Sequence, residues 1–201
     1  MEYFFIILAI SLILLIIFLL SQRSDFHLFE SDARRAGRQG EELSREYIKS
    51  VFIEGDILLN NIEIEYEGKT CECDNIVVNK YGVFIIETKN WVGELSGDID
   101  DYEWTKTKVT DADNVYETTV DNPIKQVNRQ VYIVSKYLKE NGINVWVDGY
   151  VIILNNNQVI HKQVLNSIED IDKAIHTKST QNHNGISTKK QNEIINILKF
   201  S

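Results

Sequence analysis

Asp74, Glu87 and Lys89 are the residues of this sequence whose types and spacing could do chemistry together. The β-rich runs 70–78 and 83–89 predict a hairpin with a two-residue loop at Lys80-Tyr81. In that register Asp74 lies directly opposite Glu87, with Cβ atoms about 4.5–5.5 Å apart. Lys89 lies two residues beyond Glu87 and therefore on the same face of the sheet.

Two carboxylates that face each other on adjacent strands repel, which destabilises a purely structural hairpin. A divalent cation removes this conflict, and magnesium favours carboxylate oxygens together with substrate phosphate. Lys89 could orient a water molecule and offset charge on a phosphorane, so the set suits metal-assisted phosphodiester hydrolysis. Acids and lysines also occur on solvent-facing strand positions. Asp74 and Glu87, however, extend apolar faces of their strands, where charge without function is costly.

A helix that must position a further acid is predicted from Gly37 to about Phe52. Its apolar arc comprises Leu43, Tyr47, Ile48, Val51 and Phe52. Glu41 projects close to that arc, so it is expected at the edge of the core and near the two strand acids. The alternative interpretation is a first-turn acid that is favoured only by the helix dipole.

The remaining elements follow from periodicity and capping residues. Asn122-Pro123 is typical of a helix start, and Asn141-Gly142 of its end. In chain order, the sequence further predicts a strand near 57–66, a hairpin at 93–109 containing Trp104, a polar loop at 110–121, a buried strand at 145–154, and helices near 168–176 and 188–200. Strand runs flanked by helices indicate an α+β or mixed-sheet α/β domain.

Residues 3–20 are apolar and uncharged, and as a helix they would reach about 27 Å, close to the hydrocarbon thickness of a bilayer. A signal peptide is the alternative, but basic residues before the run and a small-residue cleavage site are missing. We therefore expect a single-pass anchor at 1–21 in the lipid bilayer and a polar linker at 22–36. The cations Arg23, Arg34, Arg35 and Arg38 after the run place the N-terminus outside and the C-terminal domain in the cytoplasm.

The formal net charge of −9 is unfavourable for a protein that binds nucleic acid, because phosphate contacts supply most non-specific affinity. The cations are unevenly distributed, however. A group that could line one surface comprises Lys89, Lys106, Lys108, Lys125, Arg129 and Lys136. Cys71-x-Cys73 could be half of a zinc site, but no further cysteine is present, so two small strand residues are the favoured interpretation.

The ordered motifs resemble those of the nuclease-related domain family, NERD, a branch of the restriction-endonuclease-like PD-(D/E)xK superfamily. The matching pieces are Gly37-x-x-Gly40-Glu41, Glu72-Cys-Asp74-Asn-Ile-Val-Val78, Tyr81-Gly-Val-Phe-Ile-Ile-Glu87-Thr-Lys89-Asn90, Gly93, Trp104, and Asn122-Pro123 with Gln126. The resemblance implies a mixed sheet in αβββαβ order over residues 37–155. Residues 156–201 are expected to form a helical extension of the same domain.

By this resemblance, Asp74, Glu87 and Glu41 are expected to be metal ligands and Lys89 the catalytic lysine. Gln126 is implied as a supporting polar group near the site. Asn75 departs from the family pattern, in which a histidine is more usual at this position. This difference affects the surroundings of the expected metal ligands and not the ligands themselves.

The expected function is a membrane-anchored nuclease that uses Mg²⁺ or Mn²⁺ to hydrolyse DNA in preference to RNA. The alternative is a catalytically idle, membrane-tethered module that binds nucleic acid or protein. The negative net charge favours the idle module, whereas the intact acid-acid-lysine set favours the enzyme. A third hypothesis, a membrane structural protein, is based on the apolar segment alone.

Overall fold

The computed structural model describes residues 32–110, 113–155, 159, 161–177 and 185–200. The chain divides into two compact units, Met1–Arg38 and Gln39–Ser201. The predicted anchor at 3–20 lies outside the described residues, as does most of the predicted linker. None of the described helices is both long enough and apolar enough to cross a membrane.

The secondary structure alternates helices with two groups of strands. In chain order it comprises α1 (Asp32–Ser50), β1 (Ile57–Tyr66), β2 (Lys69–Asn79), β3 (Gly82–Asn90), β4 (Glu94–Ser96), β5 (Glu103–Val109), β6 (Val115–Asp121), α2 (Pro123–Glu140), β7 (Val147–Leu154), α3 (Ile168–His176) and α4 (Thr188–Lys199). The predicted mixed α+β architecture is therefore confirmed.

The central sheet has the strand order β1-β2-β3-β7. β1, β2 and β3 are antiparallel neighbours, whereas β7 is parallel to β3, so the sheet is mixed. The predicted hairpin register is confirmed: pairing runs from Asn79 opposite Gly82 to Asn75 opposite Ile86, around the loop Lys80-Tyr81. A two-residue loop fixes this register because it leaves no freedom for the strands to slip.

The two faces of the central sheet are covered by different helices. Strand residues such as Ile76, Val78 and Ile85 pack in one buried cluster with residues of α2 and α4. The alternate strand residues Val77 and Ile86 pack in a second cluster with α1 and α3. Because strand side chains alternate between faces, Asp74 and Glu87 belong to the face that α2 covers.

α2 begins as its sequence predicts. The Asn122 side chain accepts a hydrogen bond from the Ile124 amide, and Pro123 occupies the first turn. The helix approaches β7 closely at Gly149, where an added Cβ would lie 2.6 Å from Val131 Cγ2 and 2.9 Å from Val127 Cγ2. This close contact holds α2 directly over the sheet.

The segment between β3 and α2 forms a second sheet, with strand order β4-β5-β6. The hairpin prediction for 93–109 is confirmed, and Trp104 is buried in the main core. The prediction of a polar loop at 110–121 is wrong, because Val115–Asp121 pairs with β5 as β6. The segment lacks an apolar face of its own, and its exposed β-branched and aromatic residues are ordered by backbone pairing.

α1 starts at Asp32, earlier than predicted, because Asp32-Ala-Arg-Arg-Ala36 contains good helix formers and Gly37 is tolerated within the helix. The predicted apolar arc is wrong at Leu43, which is 38 % exposed, while Ser44 is fully buried. The reason is a close approach at Gly40, where an added Cβ would lie 2.7 Å from Asn90 Cβ. This contact turns the Gly40–Ser44–Ile48 side of the helix toward the sheet.

We expect Gly40→Ala to lower the free energy of unfolding by about 1–3 kcal/mol, because the new methyl group forces α1 away from β3. Gly37, three residues earlier on the same helix, is exposed, and Gly37→Ala should raise that free energy by about 0.5–1 kcal/mol through helix propensity. Urea denaturation of both variants measures the contrast. A Gly40→Ala protein as stable as the Gly37→Ala protein would contradict the packing argument.

Candidate active site

Glu87 is the most enclosed charged group of the site, with only 2 % of its surface exposed. Its Oε1 accepts hydrogen bonds from Lys89 Nζ at 2.7 Å and from Gln126 Nε2 at 2.7 Å. Its Oε2 accepts a hydrogen bond from Gln130 Nε2, also at 2.7 Å. A buried carboxylate is tolerated because three donors, one of them cationic, replace its hydration.

Asp74 lies one residue beyond the last paired residues of β2 and β3, Asn75 and Ile86. At this point its Oδ2 accepts a hydrogen bond of 2.8 Å from the backbone amide of Thr88. The side chain thus takes part in holding the two strands where their backbone pairing ends. Asp74 Oδ1 has no hydrogen-bond partner among the described residues, so this oxygen remains available to a ligand.

The surroundings of Asp74 raise its pKa. Burial raises the pKa of Asp74 first, and the negative charge of Glu87 raises it further, to about 7. The Thr88 amide and Lys89 act in the opposite direction and do not compensate. Asp74 therefore lies in a largely buried position that is close enough to Glu87 for their negative charges to repel.

Glu41 lies beside the pair of acids and its carboxylate is engaged elsewhere. Its Oε2 is 2.8 Å from Arg45 Nη2, and the same guanidinium nitrogen donates to Asn61 Oδ1 at 3.0 Å. The negative charge of Glu41 also raises the pKa of Asp74, by less than burial and Glu87 do. The structure thus brings together Asp74, Glu87, Lys89 and Gln126, with Glu41 next to them. The role of Glu41 as a metal ligand stays a prediction.

A buried polar network on the opposite face of the sheet fixes the hairpin against α1. Thr88 Oγ1 donates to Ser44 Oγ at 2.8 Å, and Asn75 Nδ2 lies 3.3 Å from Thr88 Oγ1. Asn60 Nδ2 donates to Asn75 Oδ1 at 2.8 Å. Asn75 and Thr88 alternate with Asp74, Glu87 and Lys89 along the strands, so this network holds the backbone from which the site projects.

Gln130 is a further residue of the site that the sequence did not predict, and only 2 % of its surface is exposed. Its Nε2 donates both to Glu87 Oε2 and to the Glu72 carbonyl, and so it links α2 to β2 and β3. Its Oε1 is buried and has no partner among the described residues. The sequence does contain a signal for this role, because Gln130 is a polar residue within the apolar arc of its helix. It follows Gln126 by four residues and lies on the same side of the helix as Val127 and Val134.

The donor set fits a hard divalent cation. No group of three or more His, Cys, Asp or Glu side chains in the described part of the chain is arranged to hold a metal ion. Magnesium needs only one or two protein carboxylates, because water and substrate phosphate complete its coordination. Asp74 and Glu87 provide two such carboxylates. Cys71 and Cys73 are both free and buried, and they belong to no such metal-binding group.

The family comparison agrees with this geometry. A family model described as "Nuclease-related domain" (NERD) matches residues 36–154, which is more than half of the 201-residue chain. The chain belongs to the nuclease-related domain family. The match includes Glu87 and the three residues that donate hydrogen bonds to it.

One relative of this nuclease-related domain protein is an uncharacterized protein of Bacillus anthracis, with 32 % identity over 71 residues. The aligned part covers 35 % of the present chain and 34 % of the relative, so the chain spans about a third of the length of the relative it matches. No solved structure matches the chain significantly. The family assignment supports a nuclease-related function.

We expect Asp74→Asn to remove a pH dependence from the stability of the metal-free protein. An acid whose pKa rises from 3.8 to about 7 on folding binds more protons in the folded state, so stability falls as pH rises through that window. The variant should therefore gain stability over wild type between pH 5 and pH 8, by up to a few kcal/mol at about 1.4 kcal/mol per pKa unit. Thermal unfolding in EDTA across this range measures the difference.

Glu87→Gln is the matched comparison, and it should destabilise the protein by about 1–3 kcal/mol. A glutamine offers one acceptor oxygen to the three donors that converge on this position, so at least one buried donor loses its partner. If both variants change stability in the same direction at pH 8, the assignment of Glu87 as the bonded acid and Asp74 as the strained one is wrong.

Proposed function

We propose that this protein is a metal-dependent nuclease that hydrolyses phosphodiester bonds of nucleic acid, with DNA as the preferred substrate. The observation that carries the proposal is the buried Glu87 carboxylate, which Lys89 and two glutamines hold beside the charge-strained Asp74. A structural role alone gives no reason to bury two neighbouring acids with a single contacting lysine.

Asp74 and Glu87 are the residues that would hold Mg²⁺ or Mn²⁺. When bound, the cation would supply Lewis-acid activation of the phosphodiester and lower the pKa of a water molecule. Gln126 and Gln130 orient the Glu87 carboxylate from α2, so that its direction does not depend on the cation. The Thr88 amide orients Asp74 in the same way from β3.

Lys89 faces the entrance of the site. Its side chain is 21 % exposed, whereas Glu87 beneath it is closed to solvent. From this position the ammonium group can hold the attacking water and neutralise charge that develops on the phosphoryl oxygens. The contact with Glu87 fixes the Lys89 ammonium group beside that carboxylate, and Glu41 would assist as a further acid.

We also propose that residues 3–20 anchor the nuclease in a lipid bilayer, with the N-terminus outside and the catalytic domain in the cytoplasm. The support is the length and apolarity of this segment together with the arginines that follow it.

Two lysines placed in the segment, by Leu12→Lys and Leu15→Lys, should move the protein from the membrane pellet to the supernatant, because each charge costs about 2.5–3.5 kcal/mol at the centre of a span. Val92→Lys, at an exposed apolar position of the domain, is the control and should stay in the pellet. If the double variant is recovered in the membrane pellet in the same amount as wild type, the proposed anchor is wrong.

For catalysis, we expect Lys89→Ala to reduce magnesium-dependent cleavage of DNA, assayed on plasmid and on single-stranded DNA, by a factor of about 10²–10³, because it removes a charge aimed at the reacting phosphate. Lys80→Ala is the matched control, since Lys80 is an exposed lysine in the loop of the same hairpin. Asp74→Ala should abolish the activity, and both site variants should remain folded by circular dichroism.

Calorimetric titration with Mg²⁺ and Mn²⁺ separates the proposed nuclease from an idle binding module. The nuclease requires metal binding by wild type and its loss in Asp74→Ala. Equal cleavage of both substrates by wild type, Lys89→Ala and Asp74→Ala would refute the proposed function, and metal binding that persists unchanged in Asp74→Ala would refute the assigned ligands.

A further inference from the structure

A cleft of about 1030 Å³ opens beside Lys89 and Gln126, the two residues that share Glu87 Oε1. One side is formed by the end of β3 and the start of α2, which contribute Lys89, Lys125 and Arg129. The cleft therefore leads directly to the candidate active site, and its cations lie on the elements that hold that site.

The other side of the cleft carries negative charge. It is formed by residues 101–103 and by Asp121, with the acids Asp101, Glu103 and Asp121. Glu103 and Asp121 are direct register partners at the base of the β5–β6 hairpin. Like charges in such a cross-strand position repel one another.

Tyr102 lines this cleft with an exposed aromatic ring. It is 83 % exposed, yet its carbonyl accepts a hydrogen bond of 2.8 Å from the buried Asn122 amide. Asn122 Nδ2 also donates to the Asp101 carbonyl at 2.8 Å. Lys125 Nζ lies 5.8 Å from the centre of the ring. An aromatic ring on a fixed backbone, next to a cation, is the arrangement on which nucleic-acid bases stack.

We propose that this cleft binds a single strand of nucleic acid, with its phosphates along Lys89, Lys125 and Arg129 and a base stacked on Tyr102. The inference rests on the proposed function, and it specifies the substrate as single-stranded DNA. Bases, unlike phosphates, can approach the acidic side, because their amino groups donate hydrogen bonds to carboxylates.

A duplex is disfavoured by the same arrangement. Its second backbone would bring phosphates against Asp101, Glu103 and Asp121, and like-charge contacts of this kind exclude wrong partners. The net charge of −9 acts in the same direction, because binding to duplex surfaces depends on many phosphate contacts.

The test is fluorescence anisotropy with the full-length protein in detergent, in EDTA so that binding is measured without cleavage. The probes are a labelled oligodeoxynucleotide of mixed sequence and the same strand in a duplex. The single strand should bind at least about tenfold more tightly than the duplex, and Tyr102→Ala should weaken its binding by about tenfold, within the range for one stacked base.

Tyr132→Ala is the matched control for Tyr102→Ala. Tyr132 is also exposed and also lies near lysines, with Lys69 Nζ 5.6 Å and Lys136 Nζ 5.5 Å from its ring centre, but it does not line the cleft. Its replacement should leave both affinities unchanged. Glu103→Gln combined with Asp121→Asn should raise the affinity for the duplex and narrow the preference for the single strand.

Equal affinity for the two probes, or the same effect of Tyr102→Ala and Tyr132→Ala, would overturn the inference. These outcomes are independent of the hydrolytic proposal. Duplex nicking that needs Lys89 but is insensitive to Tyr102→Ala would keep the nuclease and reject the single-strand cleft. Selective single-strand binding without any magnesium-dependent cleavage would keep the cleft and reject the nuclease.

Discussion

The burial of the Glu87 carboxylate is the constraint on which the site depends. An ionised group that is closed to solvent is stable only if fixed donors replace water around it. Three donors do so, and they come from two elements: Lys89 from the same strand, and Gln126 and Gln130 from α2. The position of α2 over the sheet is therefore coupled to the charge at this one residue.

β3 connects this charge to the rest of the fold. It pairs with β2 on one side and with β7 on the other, so its backbone is held from both edges. Glu87 and Lys89 point toward α2, and Thr88 between them points toward α1, where it bonds Ser44. The alternation of strand side chains thus separates a reactive face from a supporting face, and each face is tied to its own helix.

Charge is distributed unevenly around this core. Lys89 and the cations of α2 line one side of the open cleft, while the β4–β6 sheet and the residues beside it present acids to the other side. A protein with a strongly negative total charge thus carries a local group of cations beside the candidate active site. Electrostatic selectivity of this kind depends on local geometry, and the net charge alone does not reveal it.

The sequence by itself determined the features that short-range rules control. The two-residue loop at Lys80-Tyr81 fixed the hairpin register, and the spacing of Glu87 and Lys89 fixed their shared face. Asn122 and Pro123 fixed the start of α2. The tertiary structure decided what local periodicity cannot encode: the convergence of Gln130 on Glu87, the rotation of α1 that buries Ser44 and exposes Leu43, and the addition of β6 to the second sheet. These depend on how helices are rotated and how distant strands meet, and such contacts are set by packing between elements, which no single stretch of sequence specifies.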